Sequence, residues 1–531
     1  MTIQPVLIAG RWREAAGGET FFAENPATAK PLDEAYPVSG WADCDAALDA
    51  AAAAAEQLRR APPAKIGDFL DAFAARIEGR AKDLVETAHA ETALPKSPRL
   101  ADVELPRTTG QLRQAAAAAR EGSWAMPTID TAAGIRSMLT PIGPVAIFGP
   151  NNFPFAFGSA SGGDFAAAIA AGNSVIAKAN SSHPATTRIF AEEAAAAVEQ
   201  TDLPPATVQL IYRLNHADGE RLVADHRLGA TGYTGSRTAG LKLKAAADAA
   251  GKPIYLELSS INPVVVLPGA IRQRAAAIAE EFTTSCLMAA GQFCTNPGLV
   301  LLLAGDETES FIGDIARRFA AAPVGTLLSR GVAESLTKSI AGLRSAGAEP
   351  LAGGTPGGGA GHRFANTLLR VSGERFLADA ERLQTEAFGN ASLVVVAENV
   401  DALAAVIDRT EGNLTGCVYS DSEGGDDALY DRIVPRLRPR VGRLLNDKMP
   451  TGVAVSAAMN HGGPYPSTGH AGFTAVGIPA SLRRFAMLAC WDNVRPHRLP
   501  PLLQDKNQSG AWRNVNGDWT RGDIVHAAPQ V

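Results

Sequence analysis

The run Pro144-Val145-Ala146-Ile147-Phe148-Gly149-Pro150-Asn151-Asn152-Phe153-Pro154 marks the point at which the hydrophobic period of the chain changes. Upstream, 42–60, 65–77, 81–90 and 107–120 read as alanine-rich or amphipathic helices, and Pro62-Pro63 breaks the first from the second. A short strand over 7–12 precedes them. From Pro144 onward, β-rich runs at 145–148, 174–177, 208–212, 230–233 and 254–258 alternate with helical stretches. Repeats of about 20 to 35 residues are those of βαβ units, so a parallel sheet covered by helices is expected. Ligands of such sheets bind beyond the carboxyl ends of the strands. That rule selects Asn151, Asn152, Lys178, Ser181, Gly235, Ser236 and Glu257.

A second α/β region begins near Ser259, with a β run at 263–267 and a helix over 275–290. Next comes Gly291-Gln292-Phe293-Cys294-Thr295-Asn296-Pro297-Gly298, then a β run at 299–303 and further alternation to Arg443-Leu444-Leu445. A cysteine at a helix-to-strand junction can face a cleft, where backbone N–H groups favour a thiolate and stabilise an oxyanion. The same residue could equally be a small buried hydrophobe. The glycine-rich stretch 353–361 lacks the G-x-x-x-x-G-K-[ST] spacing of a phosphate cradle and reads as a connection.

Composition narrows the functional classes. A chain of 531 residues suits two to four domains, and 46% apolar with 20% charged residues is a globular profile. A net charge of −6 leaves no basic surplus to displace counterions from nucleic acid. No apolar run approaches the roughly 18 to 20 residues of a membrane span, and the first twelve residues lack the pattern of a secretory signal. Cys44, Cys286, Cys294, Cys417 and Cys490 are odd in number and contain no C-x-x-C pair, so free thiols and a cytoplasmic location are expected. The nine histidines show no ligand spacing, so no metal is expected.

Taken in order, Asn152-Phe153-Pro154, Lys178, Gly235-Ser236, Glu257-Leu258, Gly291-Gln292-Phe293-Cys294 and Glu386-Ala387-Phe388-Gly389 resemble the aldehyde dehydrogenase superfamily. The likeness runs from Ile8-Ala9-Gly10-Arg11-Trp12 to the last segment. Glu257-Leu258-Ser259-Ser260-Ile261-Asn262-Pro263 carries two serines where most members have two glycines. With Arg107-Thr108-Thr109-Gly110-Gln111-Leu112-Arg113, Gly162-Gly163-Asp164 and His461-Gly462-Gly463-Pro464-Tyr465-Pro466, it resembles one branch. That branch contains 2-oxoglutarate semialdehyde (2,5-dioxopentanoate) dehydrogenases and an NADP-dependent fatty-aldehyde dehydrogenase.

The resemblance implies an α/β fold with two Rossmann-like parallel-sheet domains and a small β oligomerisation segment. The expected division is 1–130 and 148–258 for cofactor binding and 259–448 for catalysis, with 131–147 and 449–500 bridging subunits and 501–531 as a tail. Homodimers or homotetramers are expected. Cys294 would be the nucleophile, Asn152 and the Cys294 backbone N–H the oxyanion donors, and Glu257 the base that activates water against a thioester. An ordinary thiol has a pKa of about 8.5, so the site must favour the anion or remove the proton. Burial of Glu257 was one way to make it a base near neutrality.

For the cofactor, the resemblance assigns Lys178 to the adenosine ribose, Gly235 and Ser236 to the pyrophosphate, and Glu386 with Phe388 to the nicotinamide end. Ser181 stands where many NAD-specific relatives have a glutamate, which tilts the choice from NAD toward NADP. His216 aligns with an arginine that holds the 2′-phosphate in the fatty-aldehyde relative, and Arg213 is near. Arg107 and Gln111 would line the aldehyde channel, with Phe153 and Phe293 as apolar walls. An arginine there suits a distal carboxylate, hence 2-oxoglutarate semialdehyde. Other readings are an NADP-dependent dehydrogenase of medium- or long-chain aldehydes, a non-catalytic binding protein, and a thiol hydrolase working without cofactor.

Overall fold

The β runs that follow Pro144 lie side by side in the computed structural model, which describes residues 3–525. Across the sheet the order is Ile254–Glu257, Ala230–Thr234, Val145–Phe148, Val175–Lys178 and Val208–Ile211, all parallel. Val145, Ile147, Val175, Ile176, Val208 and Leu210 are all buried. Helices cover both faces of a parallel sheet, which is why its strands read as near-continuous apolar runs. Successive strands run away from Val145–Phe148 on both sides, so the crevice at its carboxyl end is a topological switch point.

The expected strand over 7–12 is instead a hairpin. Val6–Ile8 and Arg11–Arg13 pair antiparallel around Ala9 (φ 53°) and Gly10 (φ 73°), and Val6–Ile8 also joins the sheet beside Val208–Ile211. Two left-handed residues in succession make a tight turn whose twist matches the flanking strands, and Gly10 supplies one of them freely. Ala9 carries no such signal; its N–H is held by Gln209 Oε1 at 3.0 Å.

The second sheet runs Glu349–Ala352, Thr367–Ser372, Ala391–Ala397, Leu299–Leu303, Pro263–Val266, Asn413–Tyr419 and Val441–Asn446. All neighbours are parallel except the first pair. A third sheet pairs Ala486–Asp492, Ile135–Pro141, Thr128–Asp130, Arg513–Val515 and Asp518–Thr520. The tail beyond Leu499 thus supplies two strands rather than trailing free, and fully buried Arg513 ties it to the Asp505 and Gly522 carbonyls. Residues 526–531 of that tail, like residues 1 and 2, lie outside the described residues. Among the described residues no helix is long and apolar enough to cross a membrane.

Candidate active site

The cysteine turn is built by close backbone approach. The helix Pro268–Leu287 ends before the 290 expected of it, because Ala289 and Ala290 take left-handed φ of 47° and 55°. Gly291 follows at φ 70°, and a Cβ there would sit 2.1 Å from the Gly389 carbonyl oxygen. Glycine is therefore required. This contact brings the Glu386-Ala387-Phe388-Gly389 segment against the cysteine turn. Asn262 Nδ2 donates to the carbonyls of Cys294 and Asn296, both at 2.9 Å, and fixes the turn from the other side.

Asn152 follows the switch-point strand. Its Nδ2 donates to the Gln292 carbonyl at 2.9 Å, which spends one of its two N–H bonds. The other is available on the cleft that Asn152 lines together with Cys294. Behind it, Arg99 Nη2 donates to the Asn152 carbonyl at 2.9 Å and pairs with fully buried Glu104. Glu104 in turn accepts the N–H groups of Phe155 and Ala156 at 2.8 and 3.0 Å. Asn152 thus sits on a clamped turn.

Glu257 ends its strand and is 2% exposed, but it does not stand alone in an apolar pocket. Its Oε1 lies 2.7 Å from His461 Nε2, and the same nitrogen is 3.4 Å from Cys294 Sγ. In the sequence His461 stands only within the pattern His461-Gly462-Gly463-Pro464-Tyr465-Pro466, which carries no role for it. The segment 461–469 reaches the site by running along the Ile254–Glu257 strand: Leu258 N–H bonds the Ser467 carbonyl and Gly469 N–H the Leu256 carbonyl. The His461 backbone is held by Thr474 Oγ1 and by the Ala475 N–H, both at 2.9 Å. A Cβ at Gly462 would meet the Phe473 carbonyl oxygen at 2.1 Å, so the glycine after the histidine is steric. Burial works against the imidazolium, yet Glu257 and Cys294 together hold the His461 pKa up, to about 10.

A cleft of about 460 Å³ joins these groups to the cofactor candidates. Its walls include Asn152, Gly235, Ser236, Glu257, Cys294, Glu386 and Phe388. Ser236 caps the helix Arg237–Ala249, whose free N–H groups and dipole form an anion site at the sheet's carboxyl edge. A dinucleotide fits this arrangement: an anion-binding helix start at one end, an open cleft to the nucleophile at the other. Burial pushes the Glu386 carboxyl up to about 7, opposed by hydrogen bonds from the Ser259 side chain and the Ser260 backbone N–H. The first of the two unusual serines therefore holds Glu386. Lys178 lies in register between Phe148 and Ile211 at the same sheet edge. Burial, with Arg213 beside it, pushes its pKa down to about 8. Asn180 Nδ2 bonds the Gly149 carbonyl at 3.1 Å and His183 Nε2 lies 3.0 Å from that of Pro150, so the Ser181 loop is tied to the cleft rim.

Behind the cleft, Phe153, Phe157, Phe293 and Phe473 pack together in one buried apolar cluster. Arg107 lies over the Phe157 ring at 5.1 Å and donates Nη1 to the Val453 carbonyl at 2.6 Å. Its Nε and Nη2 are buried without a partner. Burial lowers its pKa, while Cys294, Glu104 and Glu257 act in the opposite sense, so the guanidinium is within electrostatic reach of Cys294. Gln111, expected beside it in the channel, is instead buried behind the Asn152 turn, with Nε2 spent on the Ala156 carbonyl at 3.2 Å. One helical turn separates the two residues, but the second packs into the 153–163 loop rather than the channel.

The chain's residues 12–463 match the model of the aldehyde dehydrogenase family. It is 37% identical to alpha-ketoglutaric semialdehyde dehydrogenase 2 of Azospirillum brasilense, over 96% of this chain and 98% of that protein. It is 33% identical to alpha-ketoglutaric semialdehyde dehydrogenase of Acinetobacter baylyi, over 96% and 97%. Its fold resembles the solved lactaldehyde dehydrogenase of Escherichia coli with a TM-score of 0.78, at 20% identity over 92% of this chain and 98% of that one. On this match, and with Asn152, Glu257 and Cys294 lining one cleft, the chain belongs to the aldehyde dehydrogenase family and is an NAD(P)-dependent aldehyde dehydrogenase.

Proposed function

We propose that this enzyme oxidises 2-oxoglutarate semialdehyde to 2-oxoglutarate, with NADP preferred over NAD. The observation that carries the substrate is Arg107, which presents two unpartnered buried nitrogens, Nε and Nη2, within electrostatic reach of Cys294. An orphaned guanidinium is costly to bury, and a carboxylate at the far end of the substrate would satisfy it by a paired hydrogen bond. Two relatives at 37% and 33% identity are alpha-ketoglutaric semialdehyde dehydrogenases, which supports this reading. A plain alkanal would leave Arg107 unsatisfied.

The residues divide the work as follows. His461 Nε2 takes the Cys294 proton and holds it between sulfur and the Glu257 carboxylate. The thiolate attacks the aldehyde carbon, and Asn152 Nδ2 with the Cys294 N–H receives the oxyanion. Glu386 and Phe388 would hold a nicotinamide beside this adduct; when bound it would supply the hydride acceptor, and Cys294 would then carry the acyl group as a thioester. Glu257, through His461 or directly, then takes a proton from water as it attacks the thioester. The carboxylate departs, and the thiolate recovers its proton.

For the cofactor, Lys178 and Ser181 would take the adenosine ribose, Gly235 and Ser236 the pyrophosphate, and Glu386 with Phe388 the nicotinamide end. The NADP preference rests on Ser181 and on Arg213, whose charge acts on Lys178. A 2′-phosphate would bridge two cations that otherwise repel. The reading also takes the chain as a homodimer or homotetramer. Ala486–Asp492 is the free edge of the third sheet, where Met487 and Leu488 are exposed. Free cysteines fit a cytoplasmic location. A panel of 2-oxoglutarate semialdehyde, succinic semialdehyde, glutaraldehyde and long alkanals with NAD and NADP tests the assignment. The first with NADP should give the highest kcat/KM; a long alkanal in first place would overturn it.

A further inference from the structure

The bridge at His461 has a second use. Cys294 Sγ, His461 Nε2 and a Glu257 carboxylate oxygen all lie within 4.8 Å of one another. We propose that these three side chains form a binding site for a thiophilic divalent cation, Zn²⁺ by its chemistry, which reversibly blocks the nucleophile. The proposal rests on the donor set alone and is independent of which aldehyde the enzyme takes.

The geometry suits zinc. With Zn–S and Zn–N bonds of about 2.3 and 2.0 Å, a tetrahedral site separates sulfur from nitrogen by about 3.5 Å. The observed separation is 3.4 Å. Nitrogen and carboxylate oxygen stand 2.7 Å apart, a hydrogen-bond contact that must widen by about half an ångström for two bonds near 2.0 Å. Glu257 has room to respond, because its Oε2 is buried with no partner and can serve as the ligand atom instead. The backbones of Cys294 and His461 are pinned by Asn262, Thr474 and Ala475, so two of the three donors are already positioned. The fourth position faces the cleft that Cys294 and Glu257 line, which leaves it for water or an anion.

Softness selects the ion. Calcium and magnesium want oxygen ligands in sets of six or more, whereas thiolate, imidazole and carboxylate are a zinc set. Coordination releases the thiol proton and any proton on His461 Nε2 to solvent, so no other reactant is required. With sulfur in the metal bond and Glu257 ligated, neither attack on an aldehyde nor activation of water can proceed. Expected behaviour is loss of dehydrogenase activity that EDTA restores in full.

The test uses the full-length enzyme stripped with EDTA and titrated with Zn²⁺ alone. Calorimetry should give one high-affinity ion per chain, and the same titration should protect Cys294 from iodoacetamide as read by peptide mass spectrometry. Co²⁺ in place of Zn²⁺ should show a sulfur-to-metal charge-transfer band. His461→Gln should weaken binding by more than about tenfold, the least that loss of even a ligand's supporting partner costs; its melting curve checks that it is folded. Cys490→Ser, an exposed thiol on the third sheet, should leave binding and protection unchanged. Zn²⁺ that binds His461→Gln as tightly as wild type, or that binds without protecting Cys294, overturns the proposal. If so, the aldehyde reading stands or falls on its own kinetics.

Discussion

Glu257 Oε1 and His461 Nε2 stand 2.7 Å apart although 204 positions separate them in the chain. The carboxylate at the end of one strand is thereby joined to an imidazole that also touches Cys294, so the proposed base and the proposed nucleophile share one nitrogen. Replacing His461 with glutamine should lower kcat much more than it raises KM, because the loss falls on proton transfer. General acid–base contributions are typically about 10²–10⁴-fold. A variant with kcat within a factor of about two of wild type would remove His461 from the reaction.

The shared proton also makes stability depend on pH. Burial disfavours the His461 imidazolium, but Glu257 and Cys294 raise its pKa from 6.5 to about 10 in the folded chain. A raised folded pKa means that the folded state binds the proton more tightly. The resulting stabilisation is complete below pH 6.5 and disappears as pH rises through about 10. Urea unfolding of wild type and His461→Gln should show a stability gap that narrows steadily over that window. A gap that widens with pH would contradict the assignment.

Asn152→Ala should cost about 3 kcal/mol of transition-state stabilisation, on the order of 10²-fold in kcat, as removal of an oxyanion donor does. The Arg99–Glu104 clamp behind the turn should survive, so cofactor affinity measured by fluorescence quenching should stay near wild type. Loss of cofactor binding in step with kcat would point instead to collapse of the turn.

Arg107→Ala should raise KM for a carboxylated semialdehyde far more than for hexanal, because only the former would use the two unpaired nitrogens, Nε and Nη2. Equal effects on both would leave Arg107 a structural cation over Phe157.

On the cofactor side, Arg213→Ala should raise KM for NADP by about tenfold, the cost of one hydrogen bond to a charged group, and leave KM for NAD nearly unchanged. Because Lys178 has its pKa at about 8, NADP affinity should also fall as pH rises through that value. NADP and NAD constants that move together in the variant would dismiss the 2′-phosphate role.

Much of this is legible in the sequence. Parallel strands announce themselves as short apolar runs at regular spacing, and 145–148, 230–233 and 254–258 became neighbours in one sheet. Cys294, Glu257 and Asn152 could be named because each sits at a strand end or turn inside a recognisable local pattern. His461 lacked a role for the opposite reason: its meaning lies in two partners at distances of 204 and 167 positions, and nothing in its own segment encodes them. Its glycine neighbour was visible, but the carbonyl that requires it, Phe473, was not. The hairpin at 6–13 was missed because Ala9 takes a left-handed conformation that its side chain does not advertise. Gln111 shares a helical face with Arg107, yet helical spacing cannot say which of the two the neighbouring loop will claim.

The most direct measurement is a single-turnover experiment on Glu257→Gln with 2-oxoglutarate semialdehyde and NADP, followed by mass spectrometry of the quenched protein. Attack and hydride transfer should still occur, so one cofactor should be reduced per chain and the 2-oxoglutaryl thioester should accumulate on Cys294. Free 2-oxoglutarate released at the wild-type rate, or an acyl group found on any other cysteine, would contradict the account.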